Sequence, residues 1–196
     1  MSGADHTVFF WINGLADRVP IIDSFMRLMA SDYLIPLLMA LILFGLWFIG
    51  TDAERRERNQ KAVMITFTAV AFASMIVKII NIFYDRLRPF ELYPTGEVRL
   101  IFYTPTDPSF PSNMAAVAFA FAAGTWLVNR KLGYIFLIPA VLVSFARVYV
   151  GVHYPLDVTV GAVVGIIATF GAVVVNRLVE PLPTLIIKGA RRLYVA

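Results

Sequence analysis

The chain has 196 residues, 59% of them hydrophobic and 15% charged, and a mean hydropathy of +0.75. That balance leaves too little polar surface for a soluble domain and points to a protein that faces lipid. It has no cysteine, which excludes disulfides and thiolate metal sites. Its net charge of +4 comes without a basic stretch interleaved with aromatics, so there is no nucleic-acid footprint.

The pattern predicts an all-α fold: a polytopic membrane helix bundle of five clear spans, preceded by an amphipathic or sixth helix. The first segment is Thr7–Ala30, whose apolar residues include Phe9, Phe10, Trp11, Ile21, Ile22, Phe25 and Met29. Asp17, Arg18, Pro20 and Asp23 interrupt it, so it is expected to be an amphipathic, broken or interfacial helix, or a short crossing. The same charges, and the lack of a basic start, argue against a cleavable leader. Spans are then predicted over Leu34–Gly50, Ala62–Tyr84, Ser112–Val128, Gly133–Val150 and Pro155–Leu178. Each is near the ~20 residues that cross the hydrocarbon core as a helix. One domain is expected over 1–196, with an N-terminal helix (1–30), a helical core (31–180) and a basic tail (181–196).

Charge orients this bundle. The loop Thr51–Lys61 carries Arg55, Arg56, Arg58 and Lys61. The turn after the third span carries Arg130 and Lys131, and the tail carries Arg177, Lys188, Arg191 and Arg192. Alternating crossings put all three on one side, which the positive-inside rule makes cytoplasmic. The long loop Asp85–Pro111 and the short one around Gly151–Tyr154 then share the opposite, outer face.

Three polar clusters meet on that face. In Asp85-Arg86-Leu87-Arg88-Pro89, the arginines are either interfacial anchors or a planar fork for phosphate oxygens. In Pro108-Ser109-Phe110-Pro111-Ser112-Asn113-Met114, Ser112 is the expected N-cap of a helix whose free amides suit an anion. The third runs from Arg147 through Gly151 and His153 to Asp157. Ionisable residues at span ends are functional by default, although a structural His–Asp bond and a charge-burying Arg–Asp pair would also account for them. With Pro155 at the first helical position, Asp157 falls at the third, within reach of the His153 ring. A carboxylate there can hold one ring nitrogen as N–H and leave the other free to attack.

The spacing Arg147, five residues, His153, three residues, Asp157 resembles the third signature of the type 2 phosphatidic acid phosphatase superfamily. Pro111-Ser112 resembles the start of its second signature and Arg88-Pro89 the end of its first. The resemblance implies that His153 attacks phosphorus and forms a phosphohistidine, with Asp157 orienting it. It implies also that Arg88, Arg147 and the Ser112–Asn113 region hold the phosphoryl oxygens, joined by the neighbouring Arg86, and that neither metal nor cofactor is required. Arg86–Phe90 and Phe110–Asn113 are similar to bacterial undecaprenyl-diphosphate phosphatases. The expected partners are the bilayer and a lipid substrate, with no obligate protein partner evident.

Two positions depart from the pattern. The signature lysine is replaced by Asn81, with Lys78 one helical turn earlier and long enough to reach the same site. The signature histidine that protonates the leaving oxygen is replaced by Met114, which has no proton to give; His6 is far away in sequence. General acid catalysis is worth ~10²–10⁴ in rate. Three readings remain: an inactivated variant, a natural lipid-phosphate binder without efficient turnover, or an enzyme whose leaving group needs little protonation. The last favours a diphosphate such as undecaprenyl diphosphate over phosphatidic acid or phosphatidylglycerol phosphate. A channel or transporter is disfavoured, because Leu34–Gly50 and Ala62–Val77 are almost wholly apolar inside.

Overall fold

The structure, a computed structural model, describes residues 3–94 and 96–192, except for the side chains of 190–192. The end of the predicted basic tail, 193–196, and the side chains of Arg191 and Arg192 lie outside the described residues. In chain order the helices are α1 (Gly3–Asn13), α2 (Pro20–Met29), α3 (Leu34–Gly45), α4 (Ala53–Phe83), α5 (Pro89–Leu92), α6 (Asn113–Trp126), α7 (Arg130–Tyr149), α8 (Pro155–Leu178) and α9 (Leu182–Arg192). A 3₁₀ turn, Leu46–Phe48, ends α3.

The alanine-rich α6 is the centre of the bundle and packs on α4, α7 and α8. Its small residues let backbones approach closely. A Cβ on Gly165 of α8 would lie 2.2 Å from the Ala116 carbonyl oxygen, and one on Gly161 would lie 2.4 Å from that of Ser112. Gly161 and Gly165 are four residues apart on one face of α8, the small-xxx-small arrangement of close membrane helices. Ala69, Ala73, Ala116, Ala120, Ala168 and Ala172 continue the seam.

The five predicted spans are not uniform. α4, α7 and α8 are each long and apolar enough to cross, whereas α2 with α3 qualifies only as a pair bent by 54°. α6 has 14 residues, so it rises only about 21 Å at 1.5 Å per residue, less than the hydrocarbon core. It starts after the expected Ser112 cap and ends at Trp126, two residues before the predicted end at Val128. The predicted loop Thr51–Lys61 is also corrected: from Ala53 it is helix. Asp52 caps it by accepting from the Arg55 amide at 2.7 Å, and the residues that follow are good helix formers.

The N-terminal segment is broken, as one of the expected alternatives had it, into α1 and α2. Both are tied to the same end of the bundle. Asn13 donates to the carbonyls of Tyr149 and Arg99, each at 2.9 Å. Tyr149 donates to Asp23 at 2.8 Å. On α2, Ile21, Ile22, Phe25 and Leu28 face outward while Asp23 is buried, so the apolar face points away from the bundle. Such a face suits lipid rather than water.

Candidate active site

Two short sequences start helices in the same way. In Arg88-Pro89-Phe90-Glu91 and Tyr154-Pro155-Leu156-Asp157, proline is the first helical residue and an acid two residues later reaches back. Glu91 accepts from the Arg88 amide at 2.7 Å, and Asp157 accepts from the Tyr154 amide at 2.9 Å. Gly151, at φ +88°, makes the turn that brings His153 under the end of α7. A Cβ there would come within 3.0 Å of the Arg99 carbonyl oxygen and would be strained by the positive φ.

His153 is buried, and its ring is held at both nitrogens. Nδ1 lies 2.8 Å from the Ser109 carbonyl oxygen and 3.6 Å from Asp157 Oδ2. A carbonyl only accepts, so Nδ1 carries the proton and Nε2 keeps its lone pair. Nε2 faces two guanidiniums, with Arg88 Nη1 at 3.3 Å and Arg147 Nη2 at 3.5 Å. Burial pushes the ring's pKa down to about 4, against the pull of Asp157 and with the help of Arg147 and Arg88. It is therefore neutral at pH 7, as a nucleophile must be.

The arginines are anchored from behind. Arg88 donates from Nε and Nη2 to the carbonyl and carboxylate of Asp107, each at 2.9 Å, and from Nη1 to the Val152 carbonyl at 2.9 Å. Arg147 donates from Nη1 to the Ala30 carbonyl at 3.0 Å and to Asp32 at 2.8 Å. Both are almost wholly buried; Asp107 is the exposed member, with 59% of its side chain accessible. The two cations belong to different chain segments and converge on one imidazole nitrogen, where together they can hold a dianion.

The structure brings together His153, Asp157, Arg88, Arg147 and Ser112, and places the other expected residues differently. Asp157 acts mostly through neighbours: it accepts from Ser109 Oγ at 2.5 Å and pairs with Arg86. Arg86 turns away from His153 and is held by Asp157 and by Asp5, the latter at 2.7 Å, with its guanidinium over the Tyr154 ring. Ser112 caps α6, accepting from the Ala115 amide at 3.5 Å, and its own amide donates to the Asp157 carbonyl at 3.0 Å. Asn113 opens α6, with its side-chain oxygen buried and unpartnered. Asn81, with its amide turned to suit its neighbours, donates to the carbonyls of Val77 and Phe110 at 3.1 and 2.9 Å, so it braces the loop. Lys78 is exposed beside Met75, Ile79 and Ile82 on the outward face of α4. Met114 is buried with Ile35, Met39 and Phe121. His6 is bonded to the Tyr93 hydroxyl and lies against the Tyr154 ring.

Sequence reasoning did not assign Ser109, Asp107, Asp32 or Asp5. Acids in otherwise apolar N-terminal segments were the available signal. No group of three or more His, Cys, Asp or Glu side chains among the described residues is arranged to hold a metal ion.

A profile described as the PAP2 superfamily matches residues 62–179. The undecaprenyl-diphosphatase BcrC of Bacillus subtilis is 30% identical over 184 residues, 94% of this chain and 90% of that protein. The putative undecaprenyl-diphosphatase YbjG of Escherichia coli is 30% identical over 176 residues, 86% of this chain and 81% of that one. Among solved structures, Aquifex aeolicus LpxE superposes with a TM-score of 0.67 at 28% identity, covering 88% of this chain and 96% of that one.

Proposed function

The chain belongs to the PAP2 superfamily of lipid phosphatases, and on that premise we propose that it hydrolyses a polyprenyl diphosphate through a phosphohistidine on His153 Nε2. The observation that carries this reading is the neutral imidazole, with Nδ1 bonded to a carbonyl and Nε2 set between two buried guanidiniums at 3.3 and 3.5 Å. Nε2 attacks the terminal phosphorus while Arg88 and Arg147 neutralise the equatorial oxygens, and the bridging P–O bond breaks. The Ser109 carbonyl accepts the Nδ1 proton's hydrogen bond and so stabilises the ring as it gains positive character. Water then attacks the phosphohistidine and releases phosphate.

Two observations favour a diphosphate. BcrC and YbjG carry undecaprenyl-diphosphatase names. Met114 supplies no proton, and a departing phosphate needs one far less than an alkoxide does. Met114 also supports a second reading, a lipid-phosphate binder with slow turnover. The site is read as lying at the outer face of the cytoplasmic membrane, because Arg55, Arg58, Arg130, Lys131 and Arg177 lie at the opposite end.

Phosphate release from undecaprenyl diphosphate and from phosphatidic acid, with His153→Ala as control, tests this reading. Release from the diphosphate that His153→Ala abolishes is expected. Preferred release from phosphatidic acid would overturn the substrate. Lipid binding without release would establish the binder, and release that survives the substitution would remove the nucleophile.

A further inference from the structure

A cleft of about 310 Å³ lies among α6, α7 and α8, reaching the end of the bundle away from His153. We propose that this cleft and its neighbour hold an anionic phospholipid, with Arg130 and Arg177 meeting its headgroup phosphate. Such a lipid is a resident phosphodiester, distinct from any substrate. Ser112 caps α6 beside His153 and Trp126 ends it, about 21 Å away along the helix.

The cleft suits hydrocarbon. Phe119, Ala122 and Trp126 of α6, Leu137 of α7, and Ile166 and Phe170 of α8 line it. Thr169 also lines it, but its hydroxyl donates to the Gly165 carbonyl at 2.9 Å and meets a lipid chain already paired. Tyr134, the other hydroxyl of the lining, is exposed and lies one helical turn from Arg130 on α7. The Arg130 guanidinium stands over the Trp126 ring, 5.3 Å from its centre. Tryptophan, tyrosine and arginine carry an apolar body and a polar tip, so this rim belongs at the headgroup level of a bilayer.

Charge selects the headgroup. Leu127 and Phe170 line a second cleft as well, of about 560 Å³, so the two adjoin. Arg177 lines the second, about two helical turns beyond Phe170 on α8. The carboxylate there is already compensated: Glu180 accepts from Lys61 at 2.8 Å and from the Thr184 hydroxyl at 3.2 Å. Lys61 in turn is shared with Glu57 at 3.5 Å. Arg130 and Arg177 are exposed, and neither enters an ion pair among the described residues. Two unpaired guanidiniums thus border adjoining apolar clefts. A phosphodiester with net negative charge complements them, whereas a zwitterionic headgroup brings an ammonium of its own.

Fluorescence quenching in nanodiscs tests this. In Trp11→Phe/Trp47→Phe protein, Trp126 is the only tryptophan. Brominated-chain phosphatidylglycerol and brominated-chain phosphatidylcholine are each titrated into discs of unbrominated phosphatidylcholine. Phosphatidylglycerol is expected to quench Trp126 at the lower lipid fraction. Arg130→Gln and Arg177→Gln should each reduce that preference about fivefold, and Arg177→Lys should keep most of it. Comparing the two lipids within each variant cancels any direct effect of Arg130 on the indole. Equal quenching by both lipids, or a preference that survives the double Gln variant, would overturn the site. Protein retaining only Trp11, at the His153 end, is expected to respond to neither substitution. A matching response there would mean that the arginines act through general surface charge, which also overturns it. Both side chains are exposed, so the thermal transition in lipid-free detergent is expected to stay at the wild-type value. A lowered one would assign the arginines to the fold instead.

Discussion

His153 shows how far the surroundings of a residue decide its chemistry. Its ring is buried beside two guanidiniums, and its pKa is pushed from the ordinary 6.5 down to about 4. The folded ring stays neutral where the unfolded ring takes a proton, so its contribution to stability declines as pH falls from about 6.5 towards 4. In a His6→Gln background His153 is the last histidine, and its imidazole NMR signals are expected to remain those of a neutral ring through pH 5.5. Titration near 6.5 would mean that water reaches the ring. The convergence of His153 with Arg147 and Asp157 was legible in sequence because their spacing reports one turn and one helix start. The partner of Nδ1 was not. A carbonyl such as that of Ser109 carries no side-chain signature, and Asp157 does its work partly through that residue. Asn81 and Arg86 show a related limit: a polar side chain near a site looks the same in sequence whether it faces the ligand or braces a loop.

At the scale of elements, hydropathy located α4, α7 and α8 well, because long apolar runs leave few alternatives. It carried α6 two residues past its end at Trp126, and it took the basic start of α4 for loop. The closeness of α6 and α8 is a matter of missing atoms. A methyl on Gly161 would meet the Ser112 carbonyl oxygen at 2.4 Å and the Ala115 Cβ at 3.0 Å. Gly161→Ala should therefore push apart two helix starts that the Ser112–Asp157 backbone bond joins. Overpacking of this kind costs about 1–3 kcal/mol, and both a lower thermal transition and a reduced kcat are expected. Gly171→Ala is the comparison, since its Cβ would meet only Phe72 Cδ2, at 3.8 Å. Equal behaviour of the two variants would show that the seam can relax.

At the scale of the molecule, the N-terminal segment is not an appendage. Asp5 accepts from Arg86 at 2.7 Å and from the Leu156 amide at 2.9 Å, so α1 closes a buried chain of charges running Asp5, Arg86, Asp157. Burial alone would lower the pKa of Arg86, but the hydrogen bonds and charges of the two carboxylates raise it. Asp5→Ala leaves that cation half compensated, and breaking a buried pair costs about 3–5 kcal/mol. A large loss of stability in detergent is expected, with activity falling alongside because Asp157 loses its fixed neighbour. A variant as stable as wild type would show that Arg86 finds another partner. Sequence could place the three polar clusters on one face, but it could not bring Asp5 to them, since no local pattern spans the 81-position separation of Asp5 and Arg86.

The carboxylates of Asp107 and Asp32 have a further consequence. Each guanidinium beside His153 carries its own counter-ion within the protein. Each acid bonds a different guanidinium nitrogen from the one nearest His153 Nε2, so an arriving phosphoryl group would join these pairs rather than replace them. Affinity is tempered, because each cation that the phosphoryl group meets is already partly neutralised. Release benefits from the same arrangement, because the acids keep both guanidiniums paired and fixed when phosphate leaves.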